Sequence, residues 1–228
     1  MNPGFDLVGL WNHPRLLLRL LAVIDSPWEA LATGFTHRET GERVSLTMSP
    51  PNLGLVEAML AGTDPVLPTI DEAIAKEMVD HRSVVGVSIR PGPDVLQTAL
   101  TLLRGTDAIV NGGALALRCR TSGLSHGADG YQLLVAEAER AEGREELARA
   151  LIRAMVLLVP TSERPCTIGL HALGAPDIVL KQATDPDRAL ARLEAAALAA
   201  VLAPPTEVQA DARGLPEPLH NPMGVIAR

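Results

Sequence analysis

Cys166, His171 and Asp177 fall inside one mostly apolar run, CTIGLHALGAPDIVL, at residues 166–180. A thiol, an imidazole and a carboxylate are the parts of a nucleophile, its base and the group that orients the base, and histidine with aspartate also ligates metals. The spacing argues against a nucleophile. Cys166 and His171 are five residues apart, which along a continuous strand sets their side chains on opposite faces. Cys166 also has no neighbouring cation or helix N-terminus to hold a thiolate. A tight turn accounts for the same residues more simply. Gly169 permits a close backbone approach, Gly174 takes a positive φ, Pro176 fixes the exit, and Asp177 leads into a second strand. The turn, flanked by the short strands CTIGL and DIVL, is the favoured reading.

A second polar cluster, TSGLSHGADG at residues 121–130, offers Ser122, Ser125, His126 and Asp129. No G-x-S-x-G elbow exists to expose a serine nucleophile. The functional alternative to a plain loop is an anion-binding nest. Backbone amides around Ser122, Gly123, Ser125 and Gly127 would then point at a negative group beside a helix N-terminus. The histidines at 13, 37, 81, 126, 171 and 220 show none of the short spacings that place two on one metal. Phosphate-loop and dinucleotide fingerprints are absent. No metal and no cofactor are therefore expected. An enzyme built on this chain would have to gather distant residues, with His126, His171 and Asp177 the candidates and His37 a further one.

Composition narrows the partners. The 228 residues are 47% hydrophobic and 21% charged, an ordinary globular balance. The five aromatics, Phe5, Trp11, Trp28, Phe35 and Tyr131, are too few to build base-stacking platforms. A net charge of −7 with only two lysines, Lys76 and Lys181, argues against a phosphate backbone as ligand. No nucleic-acid partner is expected. Cys119 and Cys166 read as small hydrophobes in a reducing compartment. The opening residues lack a basic start and an uninterrupted apolar stretch, so neither a signal peptide nor a spanning helix is expected, and the cytoplasm is the default location.

The elements that must position these residues follow from periodicity. In RLLLRLLAVI, Leu16, Leu17, Leu20, Leu21 and Ile24 recur at helical spacing, and residues 1–31 are read as a peripheral helical segment. Its apolar stripe would dock on its own domain, on a partner or on a membrane surface, in that order of preference. Thr40–Gly41 turns a hairpin, and Gly62 closes a short helix begun near Asn52. A stronger helix starts at Thr69 with Glu72 completing a capping box. SVVGVSI is a buried strand, and a helix capped at Asp94 ends near Gly105. In ALALRCR, Leu115, Leu117 and Cys119 alternate with Ala116, Arg118 and Arg120, a half-buried strand with a solvated cationic face. A helix over 131–142 is followed, after Gly143, by one helix reaching Leu158 or by a helical turn and a strand over 152–159, the strand being favoured by the apolar end and the stop at Pro160. The last helix is capped by Asp185 with Pro186 at its first position. From Pro204 to Arg228 the chain is proline-rich and aperiodic, and it is read as an extended or disordered tail.

This pattern predicts an α+β fold, with a mixed or antiparallel sheet and helices packed on one face. The stretch from Val44 to Arg120 suits a ferredoxin-like unit. The domain runs over 32–203, with 32–111 and 112–203 as two potential subdomains, flanked by the segments 1–31 and 204–228.

Thr167, Gly169, Leu170, Gly174, Pro176, Asp177 and Ile178, preceded by the strand-like RAMVLLVP and by GGALALRCRTSG, resemble a bacterial domain of unknown function, family 4261. The likeness covers about residues 112–203, and Ala172–Leu173 stand where that family often has an aromatic residue. The resemblance implies an α+β domain and carries over no catalytic residue. The expected function is a non-catalytic, cytosolic bacterial binding or assembly protein, meeting a protein partner or its own copies through 1–31 and 204–228. Enzyme and peripheral membrane protein are the alternatives.

Overall fold

The computed structural model describes residues 2–11, 27–31, 33–63, 69–180 and 185–203. The leucine stripe over 16–24 and the tail 204–228 lie outside the described residues.

Hydrophobic alternation builds one antiparallel sheet from β1 (Gly4–Gly9), β2 (Trp28–Leu31), β3 (Gly34–His37), β4 (Arg43–Ser49), β5 (Ser83–Ile89), β6 (Ala114–Cys119) and β7 (Ser125–Gly127). The order is β2-β3-β4-β5-β1-β6-β7, with every neighbouring pair antiparallel. The first strand is therefore central. This corrects the reading of 1–31 as peripheral: in GFDLVG, Phe5 and Leu7 are fully buried on one face and Val8 on the other. A six-residue strand buried on both sides lacks a clean alternation, so the helical stripe that follows it dominates the local pattern.

The fold class is α+β, as the mixture of elements predicts. One face of the sheet carries α3 (Val95–Val110), α4 (Ala128–Arg140) and α5 (Arg144–Met155), and α6 (Pro186–Leu202) packs on α5 and on the ribbon of Leu157–Val159 with Cys166–Ile168. Leu96, Leu103, Ile109, Tyr131, Val135, Leu151, Met155 and Val201 pack there with Phe5, Leu7, Val85, Val87 and Leu117. The helical layer extends beyond the expected single face. Val56 and Met59 of α1 (Leu53–Ala61) and Met78 of α2 (Glu72–Val79) cover Val8, Val84 and Ala116 on the far side.

A bulge interrupts the pairing of β1 with β6. Val8 pairs with Ala116 but Gly9 with Ala114, leaving Leu115 as the extra residue. Leu115 therefore packs with Ala116 toward α1 and α2, not with Leu117 as simple alternation implied.

β5 and β6 are each antiparallel to β1, which lies between them, and α3 connects them, a split β-α-β unit; the ferredoxin-like unit expected within Val44–Arg120 is not formed by that stretch alone, because the inserted strand is Gly4–Gly9 and β4 pairs directly with β5. The sheet and a core reaching from Phe5 to Val201 cross the boundary at 111/112, so the halves 32–111 and 112–203 are one structural unit.

Local signals set most helix starts. Asn52, Asp71, Asp94 and Asp185 each accept a backbone N–H in the first turn of their helix. Asp71, not Thr69, caps α2; the Thr69 hydroxyl instead accepts the Gly127 N–H at 2.9 Å. α3 continues past Gly105 to Val110. A Cβ at Gly105 would stand 2.8 Å from the Phe35 ring, so the glycine is a contact point between helix and sheet. α5 stays helical to Met155, leaving only Leu157–Val159 as β8.

The α3–α4 seam holds one poorly satisfied group. Asp107 Oδ2 accepts from Asn111 at 2.9 Å, while its Oδ1 is buried with no partner. Burial raises its pKa, and the Glu139 carboxylate raises it further against the opposing Asn111 bond. Because the folded pKa lies above the unfolded one, the destabilisation is absent at low pH and grows as pH climbs through the ordinary aspartate value and past it. Asp107→Ala is expected to raise the melting temperature at neutral pH by roughly 2–4 °C, about 1 kcal/mol. Thermal melts at pH 7 and pH 3.5 check this. A gain that does not shrink in acid would mean the carboxylate is not the cause.

Candidate functional site

The turn at 166–180 is built on a two-stranded ribbon, β8 (Leu157–Val159) with β9 (Cys166–Ile168). Gly169 (φ +93°) and Gly174 (φ +81°) bracket a short 3-10 turn, Leu170–Leu173. Both take left-handed backbone that other residues adopt only with strain. Leu170, Ala172, Leu173 and Ala175 plug the core, leaving the polar atoms to hold the loop. Asp177 Oδ1 accepts from the Leu170 N–H at 2.8 Å and from the Thr167 hydroxyl at 3.2 Å. Thr167 Oγ1 accepts from the Ile178 N–H at 2.8 Å. The expected second strand, DIVL, reduces to a single bridge from Val179 to Cys166. After Pro176, backbone bonds from Thr167 and Leu180 tie the exit down.

His171 Nδ1 lies 3.5 Å from Asp177 Oδ2, with both side chains well exposed. Cys166 is half-buried, and it does have a neighbouring cation, Arg164, contrary to the expectation from sequence; burial together with the Asp177 charge nevertheless pushes its thiol up, the reverse of what a nucleophile needs.

The other candidates lie elsewhere. His126, on the edge strand β7, is 2% exposed, with Nε2 3.1 Å from the Ala154 carbonyl oxygen. His37, on β3 toward the opposite edge, is buried edge-on against Trp28 at 4.9 Å and accepts the Thr40 N–H. The four do not meet in one cleft. Among the described residues no three of His, Cys, Asp and Glu are placed to hold a metal.

The two glycine-rich stretches do touch each other. A Cβ on Gly169 would fall 2.6 Å from Ser122 Cβ and 3.0 Å from its backbone nitrogen. Around Ser122 the amides an anion would require are bonded internally. Gly123 N–H donates to Cys119 O, Leu124 N–H to Ser122 Oγ, Ser125 N–H to Gly62 O and Gly127 N–H to Thr69 Oγ1. These amides hold the loop together and tie it to Gly62 and Thr69.

Two residues matter more than their sequence pattern suggested. Arg118, expected on a solvated face, is half-buried. Its Nη1 donates to the carbonyls of Ala58 and Gly123, both at 2.5 Å. His81, expected as a polar helix end, is 3% exposed. Its Nε2 accepts the Asn52 N–H at 2.8 Å, so Nδ1 carries the proton and donates to Met78 O at 2.8 Å. This imidazole ties the start of α1 to the end of α2. A depression of about 820 Å³ opens beside it, lined by Leu10, Pro51, Asp80, His81 and Arg82. Local spacing could not show either role, because α1 supplies the partner in both.

Among the described residues no helix is long and apolar enough to cross a membrane. No family model matches the chain, and neither a curated protein nor a solved structure does.

Proposed function

We propose that this chain acts by binding rather than catalysis, as a cytoplasmic bacterial assembly component that meets a protein partner or its own copies. The observation that carries this reading is where the reactive side chains point their polar atoms. Asp177, Thr167 and Ser122 bond the backbone of their own loops, and His81 and Arg118 bond the backbone of neighbouring elements. The proposed membership of residues 112–203 in family 4261 agrees with it, since that resemblance carries no catalytic set.

The contact segment is the proline-rich stretch 204–228. With β1 in the middle of the sheet, the earlier segment 1–31 no longer serves as a detachable arm. Light scattering on the full chain and on a chain ending at Ala203 tests this. The full chain is expected to run as an oligomer, or to form a stoichiometric complex with a purified partner. The shortened one should be monomeric with an unchanged melting temperature, since α6 closes at Leu202. A full chain that stays monomeric and forms no such complex sinks the reading. So does a turnover that disappears in His171→Ala with the fold intact.

A further inference from the structure

The sheet face that bears α1 and α2 is covered only in part. Those helices bury Val8, Val84 and Ala116, while Ser45 and Thr47 on β4 stay exposed on the same side. Thr47, Gly86 and Asp6 are cross-strand partners in one row, and Ser45 and Ser88 are partners in the next. Together they make a floor of small polar side chains beside the helices.

Arg120 lies across this floor. From the end of β6 its guanidinium reaches over β1, where Nε and Nη2 donate to Asp6 Oδ1 at 2.8 and 2.6 Å. It extends as far as β5, since a Cβ on Gly86 would strike both Arg120 Nη2 and Thr47 Oγ1. Glycine at 86 leaves the room in which guanidinium and hydroxyl meet. Asp6 occupies one edge of the planar fork with a single oxygen. The other edge, Nη1 with the second hydrogen of Nη2, has no acceptor among the described residues, and its parallel N–H bonds match the two oxygens of a carboxylate. Thr47 Oγ1 makes only a long bond, 3.4 Å, to Gly86 O, so its proton can turn to a better acceptor.

Charge favours the same ligand. Asp6 is also the cross-strand partner of Arg118, so two guanidiniums share one carboxylate. The floor keeps a positive excess in a chain whose net charge is −7.

We infer that Arg120 and Thr47 form a binding site for a small organic acid. Its carboxylate sits end-on against the open edge of Arg120, with the Thr47 hydroxyl donating beside it. The hydroxyls of Ser45 and Ser88, one row along, take the remaining oxygens of a short polar acid. Asp6 is a positioning residue that holds the guanidinium over Gly86. The site does not involve 204–228, so it stands or falls separately from the assembly reading.

Malate, titrated into the full chain at fixed ionic strength and followed by nitrogen-15 NMR, is the probe. Saturable shifts are expected at Arg120 Nε and at the Gly86 and Ser88 amides, and none with chloride. Arg120→Gln should weaken binding roughly tenfold or more. Thr47→Val should weaken it by about three- to tenfold at an unchanged melting temperature. It leaves the Arg120–Asp6 pair in place, so it decides the matter if Arg120→Gln disturbs the fold. Absence of saturable shifts with malate, or native affinity in Thr47→Val, overturns the inference. Saturation by a hexaglutamate peptide and not by malate also overturns it, and would reassign the fork to an acidic protein partner.

Discussion

Gly169→Ala is expected to destabilise the fold by about 2–4 kcal/mol, lowering the melting temperature by roughly 5–15 °C. Two terms combine. At φ +93° an alanine sits in left-handed backbone, which costs about 1–2 kcal/mol. Its Cβ would also fall 2.6 Å from Ser122 Cβ and 2.9 Å from Ser122 Cα. Backbone cannot swing away as a flexible side-chain tip can, so one of two packed loops must shift. Ser122 is held by its own bond to Leu124, and the 166–180 turn by Asp177 and Thr167. Gly41→Ala is the matched control: its φ is +69° and no atom lies within 4 Å of the added carbon. That variant should show only the conformational cost. Equal losses in the two would mean that the contact between the loops contributes nothing.

The contrast between these glycines shows what a sequence can and cannot disclose. Gly41 in a hairpin turn and Gly174 after a short apolar run follow from neighbours a few residues away. The same holds for the caps at Asp94 and Asp185, where one side chain bonds an amide two or three residues on. Gly105 looked like the end of α3 because its partner, Phe35, is seventy residues earlier in the chain. β1 was hidden for the same reason: it pairs with Ser83–Ser88 and Ala114–Cys119, so nothing near residue 5 marks it as the middle of a sheet. The 166–180 turn was readable as a turn because glycine and proline constrain their own backbone. Its contact with Ser122 was not, since that depends on where another loop lies. Cysteine, histidine and aspartate are conspicuous by type, and type alone cannot tell a side chain aimed into a cleft from one bonded to the backbone beside it.

Arg118 carries the second large expectation. Alternation in ALALRCR set it correctly on the face away from Leu117, but that face is covered at this point by α1 and by the 121–125 loop. The guanidinium supplies a donor to Ala58 O near the C-terminus of α1, where helix carbonyls lack intrahelical partners and the dipole favours a cation. It bonds Gly123 O as well, and Gly62 and Gly123 lie so close that a Cβ on either would strike it. Burial draws its pKa below the usual arginine value, with the Asp6 carboxylate among the groups that oppose this.

Arg118→Met keeps the apolar stem and removes both donors, leaving two carbonyls to be satisfied elsewhere. The expected loss is about 2–4 kcal/mol. Arg118→Lys restores the charge without the planar fork and should recover only part of it. Hydrogen exchange separates this from a general loss of packing. The Ser125 amide, bonded to Gly62 O, should lose protection first, ahead of amides in β5 such as Val87. If Arg118→Met melts as the native chain does, or if Ser125 and Val87 lose protection together, the guanidinium is not what fastens α1 to β7.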